Sequence, residues 1–139
     1  MNIERRDKIQ ELQSCLEKLP QIDCPVEHRF APGCYIREIF MPKGSLVVGK
    51  IHLTEHFNVI LKGKVTVATV DGVETHEAPY TFVSPAGIQK VVYMHDDCIW
   101  QTVHPTDKTD PDEIEAEIIT ENYDMLECNE LIKKIGGES

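Results

Sequence analysis

No apolar run in these 139 residues approaches the length of a membrane span. The opening segment MNIERRDKIQ carries charge where an export signal would need an apolar core, so no membrane association and a cytoplasmic location are expected. Paired cysteines are missing too. Cys15, Cys24, Cys34, Cys98 and Cys128 are scattered and odd in number, with no C-x-x-C among them, which argues for reduced thiols and against a structural zinc site. A surplus of positive charge is also lacking: 14 Lys and Arg stand against 24 Asp and Glu, a net charge of −10. A nucleic-acid polymer needs a basic face to displace its counterions, so none is expected as a partner. Internal repeats and low-complexity tracts are absent as well.

The charge that is present is unevenly spread. Residues 107–130 hold ten acids and one lysine, whereas residues 41–64 hold four lysines and one acid. An acidic chain with a locally basic pocket is therefore expected, and net charge does not exclude a small anionic ligand. The length suits one domain over 1–139.

Residues 2–19 place Ile9, Leu12, Leu16 and Leu19 at helical spacing before Pro20, which predicts an N-terminal helix. The segment LPQIDCPVEHRFAPG reads as a turn-rich connector. From Cys34 the period changes to two. CYIREIFM, SLVVGKIHL, HFNVILKGKVTVATV, YTFVSP, QKVVYM and CIWQTVHP are short β-branched or aromatic runs, separated by turns such as Lys62-Gly63 and Asp71-Gly72. At least six short strands over 34–106 predict a mainly β fold, an antiparallel barrel or sandwich. Asp110-Pro111-Asp112-Glu113 combines a capping residue, proline at the first helical position and acids in the first turn, predicting a C-terminal helical segment over 110–135. Its last piece carries Met125, Leu126, Leu131 and Ile132, with Lys133 and Lys134 before Gly136.

The strands carry a pattern that resembles the cupin superfamily. That family's first motif is G-x5-H-x-H-x3-E-x6-G. Here Gly44, five residues, Lys50, Ile51, His52, three residues, His56, six residues and Gly63 keep every spacing. Its second motif, G-x5-P-x-G-x2-H-x3-N, resembles Pro85-Ala86-Gly87-Ile88-Gln89-Lys90, with Pro79 at the leading glycine and Met94 at the asparagine. The resemblance implies a jelly-roll barrel. More loosely, SPAGIQKVVYMHDDCIWQTVHPTD is similar to small cupin-like proteins encoded by phages and prophages.

In the family the four motif positions hold a divalent metal. Here they are Lys50, His52, His56 and Lys90. A protonated lysine has no lone pair to give, and the charge-balancing carboxylate is replaced by imidazole, so no metal cofactor is expected. Two ammonium groups at one cavity call instead for phosphate, sulfate or carboxylate, with the imidazoles as directional donors. Tyr93, Trp100 and His104 join Lys50, His52, His56 and Lys90 as candidate ligand-binding residues, and Phe57, Tyr80 and Phe82 offer further aromatic surface.

The leading expectation is a metal-degenerate cupin that binds a small phosphorylated or nucleotide-like ligand without turning it over. In the phage setting it would sequester a host nucleotide signal. One alternative is a metal-dependent isomerase or dioxygenase holding Fe, Mn, Ni or Zn on His52 and His56, with His104 or Glu55 added. Another is a metal-free enzyme resembling sugar-nucleotide epimerases, with His52 taking a proton and Tyr93 returning it. An exposed sheet edge predicts a homodimer or higher homo-oligomer.

Overall fold

The computed structural model describes residues 6–12 and 23–120, with side chains to 118. The expected helical positions 2–5 and 13–19, and the segment from 121 onward, lie outside the described residues. Residues 6–12 form a helix (α1). Ten strands follow: β1 (Val26–Ala31), β2 (Cys34–Met41), β3 (Leu46–Val48), β4 (Ile51–His52), β5 (His56–Lys62), β6 (Lys64–Thr69), β7 (Gly72–Glu77), β8 (Tyr80–Ser84), β9 (Val91–Met94) and β10 (Cys98–His104). A helix α2 (Pro111–Ile118) and a short strand β11 (Ile119–Thr120) complete the described chain.

The strands pair antiparallel in a five-stranded sheet of order β1-β2-β10-β5-β8, a four-stranded sheet of order β3-β9-β6-β7, and a two-stranded pair β11-β4. The two larger sheets face each other across Met41, Ile60, Val65, Val67, Val92, Met94, Cys98 and Trp100. Period-2 alternation explains which residues fill that space. On β5, His56, Asn58 and Ile60 are buried between exposed Phe57 and Leu61. On β9, Val92 and Met94 are buried and Tyr93 is exposed.

Gly63 joins the two sheets between β5 and β6. Its φ of +103° lies in the region that L side chains avoid, and a Cβ there would stand 2.6 Å from the Asp97 carbonyl oxygen. Both obstacles are backbone, so neither relaxes cheaply. Gly63→Ala is expected to destabilise the fold by roughly 3 kcal/mol. A urea titration should show a lower midpoint at an unchanged slope, and an unchanged midpoint would contradict this account.

Two boundaries differ from the sequence expectation. The sheet begins at Val26 rather than Cys34, because β1 is an edge strand whose mostly exposed, polar residues leave no apolar alternation to read. The C-terminal helix starts as expected, with the Asp110 carboxylate accepting from the Asp112 backbone N–H at 3.0 Å. It stops at Ile118, where the chain turns extended and residues 119–120 pair with β4. The buried side of α2, Ile114 and Ile118, packs on Tyr35 of β2. Among the described residues no helix is long and apolar enough to cross a membrane.

Candidate functional site

Three strands from different parts of the chain bring His52, His56 and His104 together. Ring centroids are 4.2 Å apart for His52 and His56, 5.0 Å for His56 and His104, and 5.7 Å for His52 and His104. β4 is held on one side by β11, with Ile119 opposite His52, and the loop before β9 is tied to it by Gly87 N–H donating to the His52 carbonyl at 2.8 Å. His104, the last residue of β10, is wholly buried.

The protonation of this cluster follows from its surroundings. His56 Nδ1 lies 3.0 Å from the Thr54 carbonyl, which only accepts, so Nδ1 carries the proton and Nε2 presents a lone pair. Burial, then the neighbouring His56, Lys90, His104 and Arg37, push His52 down to about 2. Burial, His56, Arg37 and Lys90 push His104 down to about 4. Burial and then Lys90 lower His56, against the raising effect of its bond to Thr54. The three imidazoles are therefore neutral at pH 7. His52 Nδ1, His56 Nε2 and His104 Nδ1 are all buried with no hydrogen-bond partner among the described residues. This corrects one expectation: the free nitrogen of His56 accepts, so it does not donate to an anion.

Next to the cluster lies a cavity of about 100 Å³ between the sheets. Arg37, Lys50, His52, Lys90, Asn58 and Trp100 are among its lining residues, and no carboxylate belongs to that lining among the described residues. Lys90 is 92% buried (8% exposed), and its burial lowers its pKa to about 8. Its position is fixed by its neighbours: the Lys90 carbonyl accepts from Gly49 N–H at 2.8 Å, and the Gln89 amide donates to the Gly49 carbonyl at 2.9 Å. Gln10 of α1 donates to Gln89 at 2.6 Å, so the N-terminal helix braces the same loop. Neither Lys90 nor Arg37 has a side-chain hydrogen bond or ion pair among the described residues.

Lys50 shares the cavity with His52, as the two-residue spacing requires, but its ammonium bonds Glu115 of α2 at 2.5 Å and is half exposed. A pair this exposed contributes about 1 kcal/mol or less. It is a rim residue, so the inner cation is Arg37, which the sequence reading overlooked. Tyr35, Arg37, Ile39 and Met41 alternate along β2 toward the interior, so an arginine on an otherwise apolar strand face was the available signal. Asn58 was missed likewise. Wholly buried, it accepts from Trp100 Nε1 at 3.1 Å and donates to Ser84 Oγ at 2.8 Å.

Tyr93 requires a correction. It is 43% exposed on the outer side of β9, because Val92 and Met94 set the inward phase, and it does not line the cavity beside the histidines. The proton pair His52–Tyr93 therefore has no geometric basis. Phe57 is exposed on the outer face of its sheet, and Glu55 is exposed. A second cavity, of about 200 Å³, lies beneath α2 and shares Arg37 and His52 with the first. His28 faces it, hydrogen-bonded to the Tyr35 hydroxyl at 2.6 Å.

The residues do not fit the divalent metal of the cupin pattern. Its four positions hold two lysines and two histidines. The three imidazoles offer lone pairs of the right kind, yet no group of three or more His, Cys, Asp or Glu among the described residues is arranged to hold a metal ion. The cations of Arg37 and Lys90 beside them oppose a further positive charge.

No family model matches this sequence, and no curated protein sequence matches it. Solved structures do match, and they show the fold to be the cupin jelly roll. A cupin superfamily protein from Desulfitobacterium hafniense is similar with a TM-score of 0.52 at 11% identity, covering 68% of this chain and 87% of that one. An RmlC-like cupin family protein with a double-stranded β-helix fold, from Methanocaldococcus jannaschii, gives 0.51 at 14%, covering 70% and 91%. A protein from Neisseria meningitidis gives 0.50 at 14%, covering 68% and 96%.

Proposed function

We propose that this protein is a binding module for a small anionic ligand, phosphorylated or nucleotide-like, whose anionic group sits between Arg37 and Lys90. One observation carries the reading. Two cations face a cavity whose lining holds no carboxylate among the described residues, and neither makes a side-chain hydrogen bond or ion pair there, although Glu115 of the adjoining cavity interacts with Arg37 through space. Keeping an unpaired lysine charged in a buried position costs free energy, and a bound anion offsets that cost. Arginine's planar fork matches phosphate or carboxylate in two bonds, and lysine adds a point charge. The neutral imidazoles act as walls and acceptors. In the phage-like setting suggested by the wider sequence resemblance, the ligand would be a nucleotide signal of the host.

Calorimetric titration with inorganic phosphate tests the site directly. Arg37→Gln is expected to weaken phosphate binding at least about 10-fold, the scale of one charge-assisted hydrogen bond. Unchanged affinity in Arg37→Gln would remove the basis of the reading. Incubation with a bound phosphate ester should leave it intact.

A second reading has one observation in its favour, the three buried, unbonded ring nitrogens of His52, His56 and His104. It takes them as ligands of a metal-dependent enzyme, against the misfit of the motif positions and the opposing Arg37 and Lys90 cations described above. Elemental analysis of protein prepared without chelator separates the two. Stoichiometric Fe, Mn, Ni or Zn would favour the second, and metal-free protein that binds phosphate would favour the first.

A further inference from the structure

The anion cavity is small. At about 100 Å³ it falls well below the ~300 Å³ at which small-ligand sites usually begin, which suits one phosphate or carboxylate and not a whole nucleotide. Whatever carries the anionic group must therefore extend elsewhere.

The partition around Lys90 shows where. On its other side lies a groove of about 340 Å³, at the lower end of the usual range for small-ligand sites. Lys90 lines both spaces. The rest of the partition is a pair of cross-contacts. Asn58 of the cavity donates to Ser84 of the groove, and Trp100 of the cavity meets Phe82 of the groove edge-on at 5.8 Å.

The groove differs chemically from the cavity. Phe82 and His76, 5.5 Å apart, give it aromatic surface, and Ser84 lies toward its inner end. Its outer rim carries Asp71 and Glu74, both exposed. The Glu74 carboxylate is 3.1 Å from His76 Nε2. Electrostatic polarity thus runs from cations inside to carboxylates outside. A second anionic group on the ligand would meet Asp71 and Glu74, whereas hydroxyl or amino groups would donate to them.

Resting on the anion-binding reading above, we infer that the groove between β6–β7 and β8 is a second subsite, one that takes the ring-bearing body of a monoanionic-headed ligand of the nucleoside monophosphate class. The head enters the cavity past Lys90, the ring lies against Phe82, and the hydroxyl-bearing part faces Glu74 and Asp71. The same rim disfavours di- and triphosphates.

The test is a calorimetric series with inorganic phosphate, ribose 5-phosphate, adenosine 5′-monophosphate and adenosine 5′-triphosphate on the full chain. The monophosphate is expected to bind about 10-fold or more tighter than inorganic phosphate, the scale of one stacked base. It should also bind tighter than the triphosphate. Phe82→Leu should remove most of the advantage over phosphate and leave phosphate affinity unchanged. Glu74→Gln, at an exposed position that does not threaten folding, should narrow the gap between mono- and triphosphate. If phosphate binds through Arg37 but the monophosphate binds no tighter, the subsite is overturned and the anion site stands. An advantage that survives Phe82→Leu, together with a gap unmoved by Glu74→Gln, overturns the subsite as well. If none of the four ligands binds, the anion site itself fails, and the subsite with it.

Discussion

Replacing Lys90 with methionine is expected to make the ligand-free protein more stable by about 3 kcal/mol at pH 7, while abolishing phosphate binding. The sign follows from the lowered pKa. In the unfolded chain the lysine titrates near its ordinary value of 10.5, and in the fold burial brings it to about 8. Between those values the folded state binds fewer protons, so stability rises as pH rises from 8 toward 10.5. Below pH 8 the folded state carries the full cost of a buried ammonium. Methionine keeps an unbranched apolar stem and removes that cost. Urea midpoints at pH 7 and pH 10 check the account. The variant should gain most at pH 7, and its advantage should shrink by pH 10. A variant less stable than wild type by the same amount at both values would show that Lys90 is a structural residue. A gain in stability on removing this cation would support the proposed binding role.

The second large effect is acid sensitivity. His52 and His104 titrate at about 2 and about 4 in the fold, against 6.5 unfolded. The folded state binds fewer protons between those values, so the stability they contribute is complete above pH 6.5 and is lost as pH falls below it. At pH 5 each has given up about 2 kcal/mol, roughly 4 kcal/mol for the pair, out of the 5–15 typical of a domain. Denaturant midpoints between pH 7.5 and 4.5 should therefore fall steeply below pH 6.5. His104→Gln, which removes one titrating ring, should flatten the curve by about half. A wild-type profile flat down to pH 5 would contradict the buried, neutral histidine cluster. Glu115 acts in a lower window. Its hydrogen bond from Lys50 holds its carboxyl below 4.5, so its contribution is lost only at more acidic pH.

What the sequence made legible was local and periodic. Gly44 and Gly63 at fixed distances from His52 and His56 located the inward turn, and both glycines have positive φ. Two-residue spacing put Lys50 and His52 on one cavity. The same spacing would have found Arg37 and Asn58, since both alternate with buried neighbours, but no motif drew attention to them. Tyr93 failed for the opposite reason: an aromatic beside a motif is attractive, yet its phase relative to Val92 and Met94 turns it outward. Long-range neighbours could not be read at all. The pairing of Lys50 with Glu115, the arrival of His104 beside His52, and the sharing of Lys90 between two spaces each join residues far apart in the chain. Periodicity gives the face of a strand and is silent on what stands across from it.

The pairing of β11 with β4 sets an order of events during synthesis. β4 is two residues long and borders the cavity lined by Arg37 and Lys90, and its strand partner is residues 119–120. The partners to residues 51–52 are thus supplied by the last part of the described chain. A nascent chain released from the ribosome only as far as β10 would hold both large sheets yet leave β4 without that partner and Lys50 without Glu115. Contacts between distant parts of the chain form late in folding. The proposed anion binding should therefore be among the last properties to appear as the polypeptide emerges.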